Sequence, residues 1–235
     1  MFHDRVDAGR RLAAKLMKFR DLEPVIVALP RGGVPVAWEV ARALDAPLDV
    51  LIARKLGAPG QPELGIGAIA QGGALYLDVE LISHLNITRE YLHRVAREEA
   101  LEMERRLHVY RGDRAPLDVM GRTVILVDDG LATGVTTRAA VRALRRQSPR
   151  AIILAVPVCA PDTAAALRAE VDHVICVESP ERFGAVGAWY TEFAQTTDDE
   201  VVAILARAVR AQSAREAQNH GARTTDADLS RWSVP

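Results

Sequence analysis

The chain reads as an α/β protein, a Rossmann-like parallel sheet of about five strands flanked by helices. Three observations predict this class. Five short runs are apolar at nearly every position: 25–29, 48–53, 124–127, 151–158 and 173–177. Runs of that kind suit strands buried on both faces, and the helical stretches between them suit parallel crossovers. Hydrophobic residues make up 49% of the chain against 26% charged, which is enough to fill a packed core. The length of 235 residues fits one compact domain with a small appendage.

The elements follow in order. Residues 4–19 predict a helix, because Val6, Leu12, Ala13 and Leu16 share one stripe. The first strand, 25–29, ends at Pro30. A helix over 34–44 tolerates Pro35 in its first turn, and 48–53 is the second strand. Residues 56–73 hold many Gly and Pro without helical period, which predicts a long loop. Residues 74–79 read as one strand of a hairpin. Thr88 is a candidate N-cap for a charged helix reaching about Tyr110. Its narrow stripe of Leu92, Ala96, Ala100, Met103 and Leu107 suits a lid on a sheet or a dimer seam. The third strand, 124–127, leads through a turn at 128–134 into a helix ending near Arg146. A fourth strand at 151–158, a helix at 163–169, a fifth strand at 173–177 and a helix from Asp198 to about Arg210 complete the fold. Residues 211–235 are polar and without period, which predicts a loosely ordered tail.

Composition excludes several functions. Thirty Lys and Arg balance 31 Asp and Glu, for a net charge of −1, which argues against sequence-independent nucleic-acid binding. Aromatics at 5% leave few platforms for stacking bases. No signal core and no bilayer-length apolar run is visible, so a cytoplasmic protein without membrane contact is expected. Cys159 and Cys176 lie in apolar runs and read as buried small hydrophobes rather than a disulfide framework or zinc site. The histidines lack metal-ligand spacing. Residues 65–70 match a loose dinucleotide fingerprint but open no helix, and the match is discarded.

In a doubly wound sheet ligands sit where strands end, and the turn after the third strand is the most informative. It delivers Asp128 and Asp129 side by side, then Gly130 to Gly134, then Val135, Thr136 and Thr137 at a helix start. Glycine amides, a helix N-terminus and threonine hydroxyls suit a phosphate. Two adjacent carboxylates would repel one, yet they accept hydrogen bonds well from vicinal hydroxyls. A sugar phosphate satisfies both halves. The plain alternative is an ordinary strand–turn–helix with the two acids as caps. A second anion site follows the first strand at Arg31, Gly32 and Gly33, the alternative being a tight turn with a solvated Arg. Arg54 and Lys55 are adjacent cations after the second strand.

The segment VILVDDGLATGVTT resembles the ribosyl-phosphate signature of type I phosphoribosyltransferases, in the form seen in adenine phosphoribosyltransferases. Ala132 stands where hypoxanthine–guanine enzymes carry Asp, so that acid's role near the purine does not transfer. From ALPRGGVPVA through RKLGAPGQPELGIGAI to FGAVGAWY the chain resembles a bacterial group of phosphoribosyltransferases of unassigned acceptor. The likeness covers about residues 1–210.

The resemblance implies the type I fold as one domain over 1–210, with a small hood from about 1–20 and 179–197 and a flexible lid at about 55–73. Asp128 and Asp129 would hold the ribose hydroxyls, with Asp129 also countering charge on the ring. Ala132, Thr133, Gly134, Val135 and Thr136 would hold the 5-phosphate. Arg31, Gly32, Gly33, Arg54 and Lys55 would meet the pyrophosphate, with a cis peptide expected within 29–32. Glu63, matching an acid that assists the purine, and Lys55 are candidate catalytic groups. A solvated loop carboxylate is the alternative for Glu63. Phe183, Val186 and Trp189 would stack on a flat acceptor, or else fill a core. Arg182 would pair with an acidic acceptor or with phosphate, or else be solvated. The implied donor is 5-phosphoribosyl-1-pyrophosphate with Mg²⁺, held largely by donor oxygens and water near Asp128 and Asp129 rather than by direct protein ligands. The implied acceptor is a small heterocycle, and the implied assembly a homodimer. A regulator that senses the donor without chemistry is the alternative.

Overall fold

The computed structural model describes the backbone of residues 1–229 and the side chains of residues 1–215 and 217. Seven α-helices and eight strands are present in that span. They run α1 (Arg5–Leu16), β1 (Val25–Ala28), α2 (Gly33–Leu44), β2 (Leu48–Val50), β3 (Ala53–Ala58), β4 (Gln61–Ala70), β5 (Ala74–Leu77), α3 (Val79–His84) and α4 (Arg89–Arg111). Then come β6 (Thr123–Val127), α5 (Val135–Arg145), β7 (Ala151–Val158), α6 (Pro161–Leu167), β8 (His173–Glu178) and α7 (Asp198–Leu229). Five strands form a parallel sheet in the order β2-β1-β6-β7-β8. The order reverses between β1 and β6, which places the turns that leave those two strands side by side.

Alternation within the strands divides the core in two. Ile26, Ala28, Ile125, Val127 and Ile153 face Leu12, Leu16, Val36, Val40 and Leu205 of α1, α2 and α7. Val25, Val27, Val124, Leu126 and Ile152 face Ala139, Ala140, Leu144 and Leu167 of α5 and α6. Fully burying an Ile or Leu such as Ile125 or Leu126 contributes about 1.5–3 kcal/mol. The α/β class, the parallel sheet and its flanking helices are as the sequence predicts.

Several expectations need correction. The predicted loop over 56–73 is a hairpin: β3 and β4 pair antiparallel, and β5 joins them in a second sheet. Gly57, Gly65 and Gly67 permit close approach within the hairpin, whereas Gly60, Gly72 and Gly73 take positive φ in the turns. A Cβ at Gly67 would lie 2.4 Å from the Tyr76 carbonyl oxygen on the next strand. The hairpin packs Leu56, Ala58 and Ile66 against Val95 of α4, and the Tyr91 hydroxyl donates to the Gly57 carbonyl at 2.8 Å. The predicted second strand is split, its start in β2 and its end in β3. The first helix stops at Leu16 and tightens into a 3₁₀ turn, Met17–Leu22.

The predicted loose tail from 211 continues α7 as far as Leu229, and its last six residues lie outside the described span. Ala, Gln, Glu and Arg form helix well without an apolar stripe, so absence of period is a poor sign of coil there. Cys159 and Cys176, expected as separate buried thiols, are joined as a disulfide between the end of β7 and β8, with Cα atoms 6.3 Å apart. Strand adjacency allows the meeting: β7 and β8 are neighbours, with Cys176 paired to Val156 and Cys159 just past the end of β7, although the cysteines lie 17 residues apart in the chain. Among the described residues no helix is long and apolar enough to cross a membrane.

Candidate functional site

The site lies at the carboxyl ends of β1 and β6. Strand β6 is buried at all five positions and delivers Asp128 and Asp129 into a turn that is only partly covered. The Asp128 Oδ1 accepts from the Asp129 amide at 2.8 Å, which tightens the turn. Burial raises both carboxyls above the ordinary aspartate range, Asp128 well above it, with the neighbouring Asp129 charge adding to the rise. For Asp129 the Arg5 guanidinium opposes the burial effect. Arg5 Nε and Nη2 both reach Asp129 Oδ2, each at 2.8 Å.

Gly134 takes φ 74° and ψ 8°, a left-handed conformation that costs a residue with Cβ about 1 kcal/mol or more. A Cβ there would also lie 2.8 Å from Thr163 Cγ2. The glycine turns the chain into α5. The amides of Ala132 to Thr136 donate to no protein group among the described residues, as first-turn amides of a helix do. The Ala132 carbonyl is held from behind by the Thr163 hydroxyl at 2.6 Å. The cradle therefore keeps its donors for a ligand while its carbonyl side is anchored.

The turn after β1 lies against this one. The Pro30–Arg31 peptide is cis, inside the window the sequence predicts. Gly32 and Gly33 permit the contact: a Cβ at Gly32 would lie 1.9 Å from Asp129 Oδ2, and one at Gly33 2.8 Å from the Val127 carbonyl oxygen. Arg31 Nη1 lies 3.6 Å from Asp198 Oδ1 at the start of α7. The Tyr110 hydroxyl donates to the same oxygen at 2.5 Å, and burial pushes that phenol up to about 12.

The hairpin divides the Arg54–Lys55 pair. Neighbouring residues on a strand point to opposite faces. Lys55 Nζ donates to the Glu63 carboxylate and carbonyl, both at 2.9 Å, whereas Arg54 Nε goes to Glu99 of α4 at 2.7 Å. The expectation that both cations serve one anion is corrected accordingly, and Arg54 belongs to the α4 side. The Lys55 stem and Val135 Cγ2, at the start of α5, both lie 3.1 Å from where a Cβ on Gly65 would be, so Lys55 runs beside the cradle. Lys55, through its hydrogen bond and then its charge, holds Glu63 below the usual carboxylate range. Glu63 is almost wholly exposed and has no contact with Asp128 or Asp129.

A hood closes the far side. Phe2 donates its amide to the Trp189 carbonyl at 2.8 Å and accepts from Thr191 at 2.9 Å, stitching the start of the chain to 189–191. Phe183, Val186 and Trp189 are partly buried against Phe2, Val158 and Tyr190, and Trp189 Nε1 donates to the Phe183 carbonyl at 2.9 Å. Val186 packs directly on Gly130 of the acid turn. The three expected stacking residues thus come together beside the acids while also filling a small core.

Three neighbours of the two turns are absent from the candidate residues that the sequence gives. Arg5, Tyr190, whose hydroxyl donates to the Asp129 carbonyl at 2.6 Å, and Asp198 all reach the site from distant elements. Tyr190 closes the FGAVGAWY segment that carries the resemblance, but no local pattern marks Arg5 or Asp198.

Known proteins bear on this geometry. Residues 2–193 match the model of the family described as phosphoribosyl transferase domain. Over 210 residues the chain is 44% identical to a Mycobacterium tuberculosis protein named "Putative phosphoribosyl transferase" in two strains. That match takes in 89% of this chain and 47% of the other, so the chain spans about half the length of the curated relatives it matches. The crystal structure of TT1426 from Thermus thermophilus is 41% identical, with a TM-score of 0.74, covering 87% of this chain and 97% of that one.

Proposed function

This chain belongs to the phosphoribosyl transferase family, and on that premise we propose that it moves a 5-phosphoribosyl group from 5-phosphoribosyl-1-pyrophosphate to a nitrogen heterocycle, releasing pyrophosphate. One observation carries the reading. Two acids and a cradle of unpartnered amides share a single turn, and a second glycine turn bearing Arg31 packs against it. Hydroxyl acceptors, phosphate donors and a separate anion site on two adjoining turns support a pyrophosphorylated sugar phosphate as the ligand.

The reaction breaks the bond from the anomeric carbon to the pyrophosphate oxygen and forms one to the acceptor nitrogen. Asp128 and Asp129 accept from the ribose hydroxyls, and Asp129 offsets positive charge as it develops on the ring. Amides 132–136 with the Thr133 and Thr136 hydroxyls anchor the 5-phosphate. Arg31, the amides of Gly32 and Gly33, and Lys55 neutralise the departing pyrophosphate. Glu63, ionised beside Lys55, is the candidate to take the acceptor proton. Phe183, Val186 and Trp189 hold a flat acceptor. Among the described residues no cluster of three His, Cys, Asp or Glu forms a metal cage. Two adjacent carboxylates fit an Mg²⁺ that arrives on donor oxygens and water. Such an ion supplies Lewis-acid neutralisation of the leaving group.

The test is pyrophosphate release from the donor and Mg²⁺ across a library of purines, pyrimidines and other nitrogen heterocycles. Release with one base supports the transferase. Silence with all of them despite tight donor binding makes the protein a sensor of the donor.

A further inference from the structure

Asp129 does not stand alone at the end of β6. Arg5, in the first turn of α1, sends Nε and Nη2 to the same oxygen, Oδ2, each at 2.8 Å. Its remaining terminal nitrogen, Nη1, donates to the Ala194 carbonyl at 2.7 Å. The guanidinium carbon lies 4.0 Å from the centre of the Phe193 ring. Only 12% of the Arg5 side chain and 16% of that of Asp129 remain exposed. Every terminal group of the arginine is engaged, and its partners belong to two different parts of the site: the acid turn and the hood.

Anchoring α1 does not require this contact. Ala8, Leu12, Ala13 and Leu16 are already buried, the latter three against α2 and the sheet. Nor would any carboxylate serve equally. Gly32 packs against the same Oδ2, so the oxygen that Arg5 grips is the one facing the Arg31 turn. A planar fork restrains a carboxylate in direction as well as in charge, which a lysine ammonium does not. Restraint established during folding need not be imposed when the sugar arrives.

We propose that Arg5 is a positioning residue of the sugar site: it clamps Asp129 through Oδ2 in the orientation that meets the sugar hydroxyls, and through Ala194 and Phe193 it couples that carboxylate to the hood. The proposal rests on the sugar-phosphate reading above. A ligand in the donor half then sets the position of the acceptor half, without contact between the two ligands.

The experiment is calorimetry of the whole chain, as parent, R5A and R5K, with ribose 5-phosphate and with inorganic phosphate. It is paired with Trp189 emission in a background carrying W38F and W232F. R5A is expected to weaken ribose 5-phosphate by about tenfold or more, since hydrogen bonds to a charged group are lost, and to leave inorganic phosphate within about twofold. R5K, keeping charge without the fork, falls between. In the parent, ribose 5-phosphate alters Trp189 emission, and in saturated R5A it does not. Unchanged ribose 5-phosphate affinity in R5A overturns the proposal, as does an equal loss for inorganic phosphate, which would mark general damage. A parent whose Trp189 emission ignores ribose 5-phosphate overturns the coupling to the hood. If R5A does not fold, R5K decides: parent-like affinity for ribose 5-phosphate overturns the clamp, and selective weakening supports it. A parent that binds inorganic phosphate but not ribose 5-phosphate removes the sugar reading itself, an outcome distinct from all of these.

Discussion

Replacing Gly32 by Ala sets two effects of opposite sign against each other. The residue has φ −59° and ψ −32°, a conformation any amino acid adopts. On backbone grounds alone, Gly→Ala at such a site stabilises by about 0.4–1 kcal/mol. The new Cβ, however, would lie 1.9 Å from Asp129 Oδ2, 2.6 Å from its Cγ and 3.2 Å from Arg5 Nε. The carboxylate has to retreat by about 1 Å or more to reach ordinary contact. Retreat breaks both bonds from Arg5. Breaking a fully buried pair costs about 3–5 kcal/mol. Here both partners keep some exposure, so water compensates in part and about 2–3 kcal/mol is the better figure. The clash wins by about 1–2.5 kcal/mol, which for a chain of this size lowers Tm by about 2–10 °C. Thermal unfolding should show that drop, and calorimetry should show ribose 5-phosphate binding lost while inorganic phosphate binding is kept. A G32A protein with an unchanged or higher Tm would mean the backbone gain prevailed. The carboxylate would then not lie against the Arg31 turn, and the adjacency of the two turns would fail with it.

Arg31→Ala should weaken pyrophosphate binding by about tenfold or more while sparing ribose 5-phosphate, because one cation is removed from one turn only; equal losses in titration would undo the division of the site. Asp128→Asn should trade binding for stability. The folded carboxyl titrates above its unfolded value, so its contribution to stability is present below about pH 4 and is lost as pH rises through the folded value. Asn keeps the acceptor for the Asp129 amide and removes the buried charge. Tm of D128N should exceed the parent's at pH 7, with the gap closing towards pH 4; a deficit constant across pH would contradict this. Thr163→Val removes the hydroxyl that holds the Ala132 carbonyl and should weaken inorganic phosphate about threefold to tenfold, for a hydrogen bond of about 1 kcal/mol. No change in phosphate affinity would show that the cradle keeps its shape unaided.

What can be read from the sequence follows from range. The wholly apolar strands, the Thr88 cap, whose hydroxyl accepts from Tyr91 at 3.2 Å, and the acid–glycine–threonine turn are encoded within a few residues of one another. The hairpin is hidden because Gly57, Gly65 and Gly67 mimic a loop, whereas their reason lies across the strands, in atoms of Pro62, Lys55 and Tyr76. Once β3 is recognised, alternation alone separates Arg54 from Lys55. Arg5 is invisible for a different reason: its partner lies 124 residues away, and nothing near Arg5 distinguishes it from Arg10 or Arg11.

The backbone ladder between Phe2 and Tyr190 constrains how acceptor preference can be changed. Residues 186–192 cannot be exchanged as a cassette, because three of their main-chain hydrogen bonds go to residues 2 and 3. A chimera that imports the later segment alone would arrive with a mismatched edge. Retargeting the pocket therefore calls for co-inheritance of two stretches nearly two hundred positions apart, and divergence at one should leave its trace at the other.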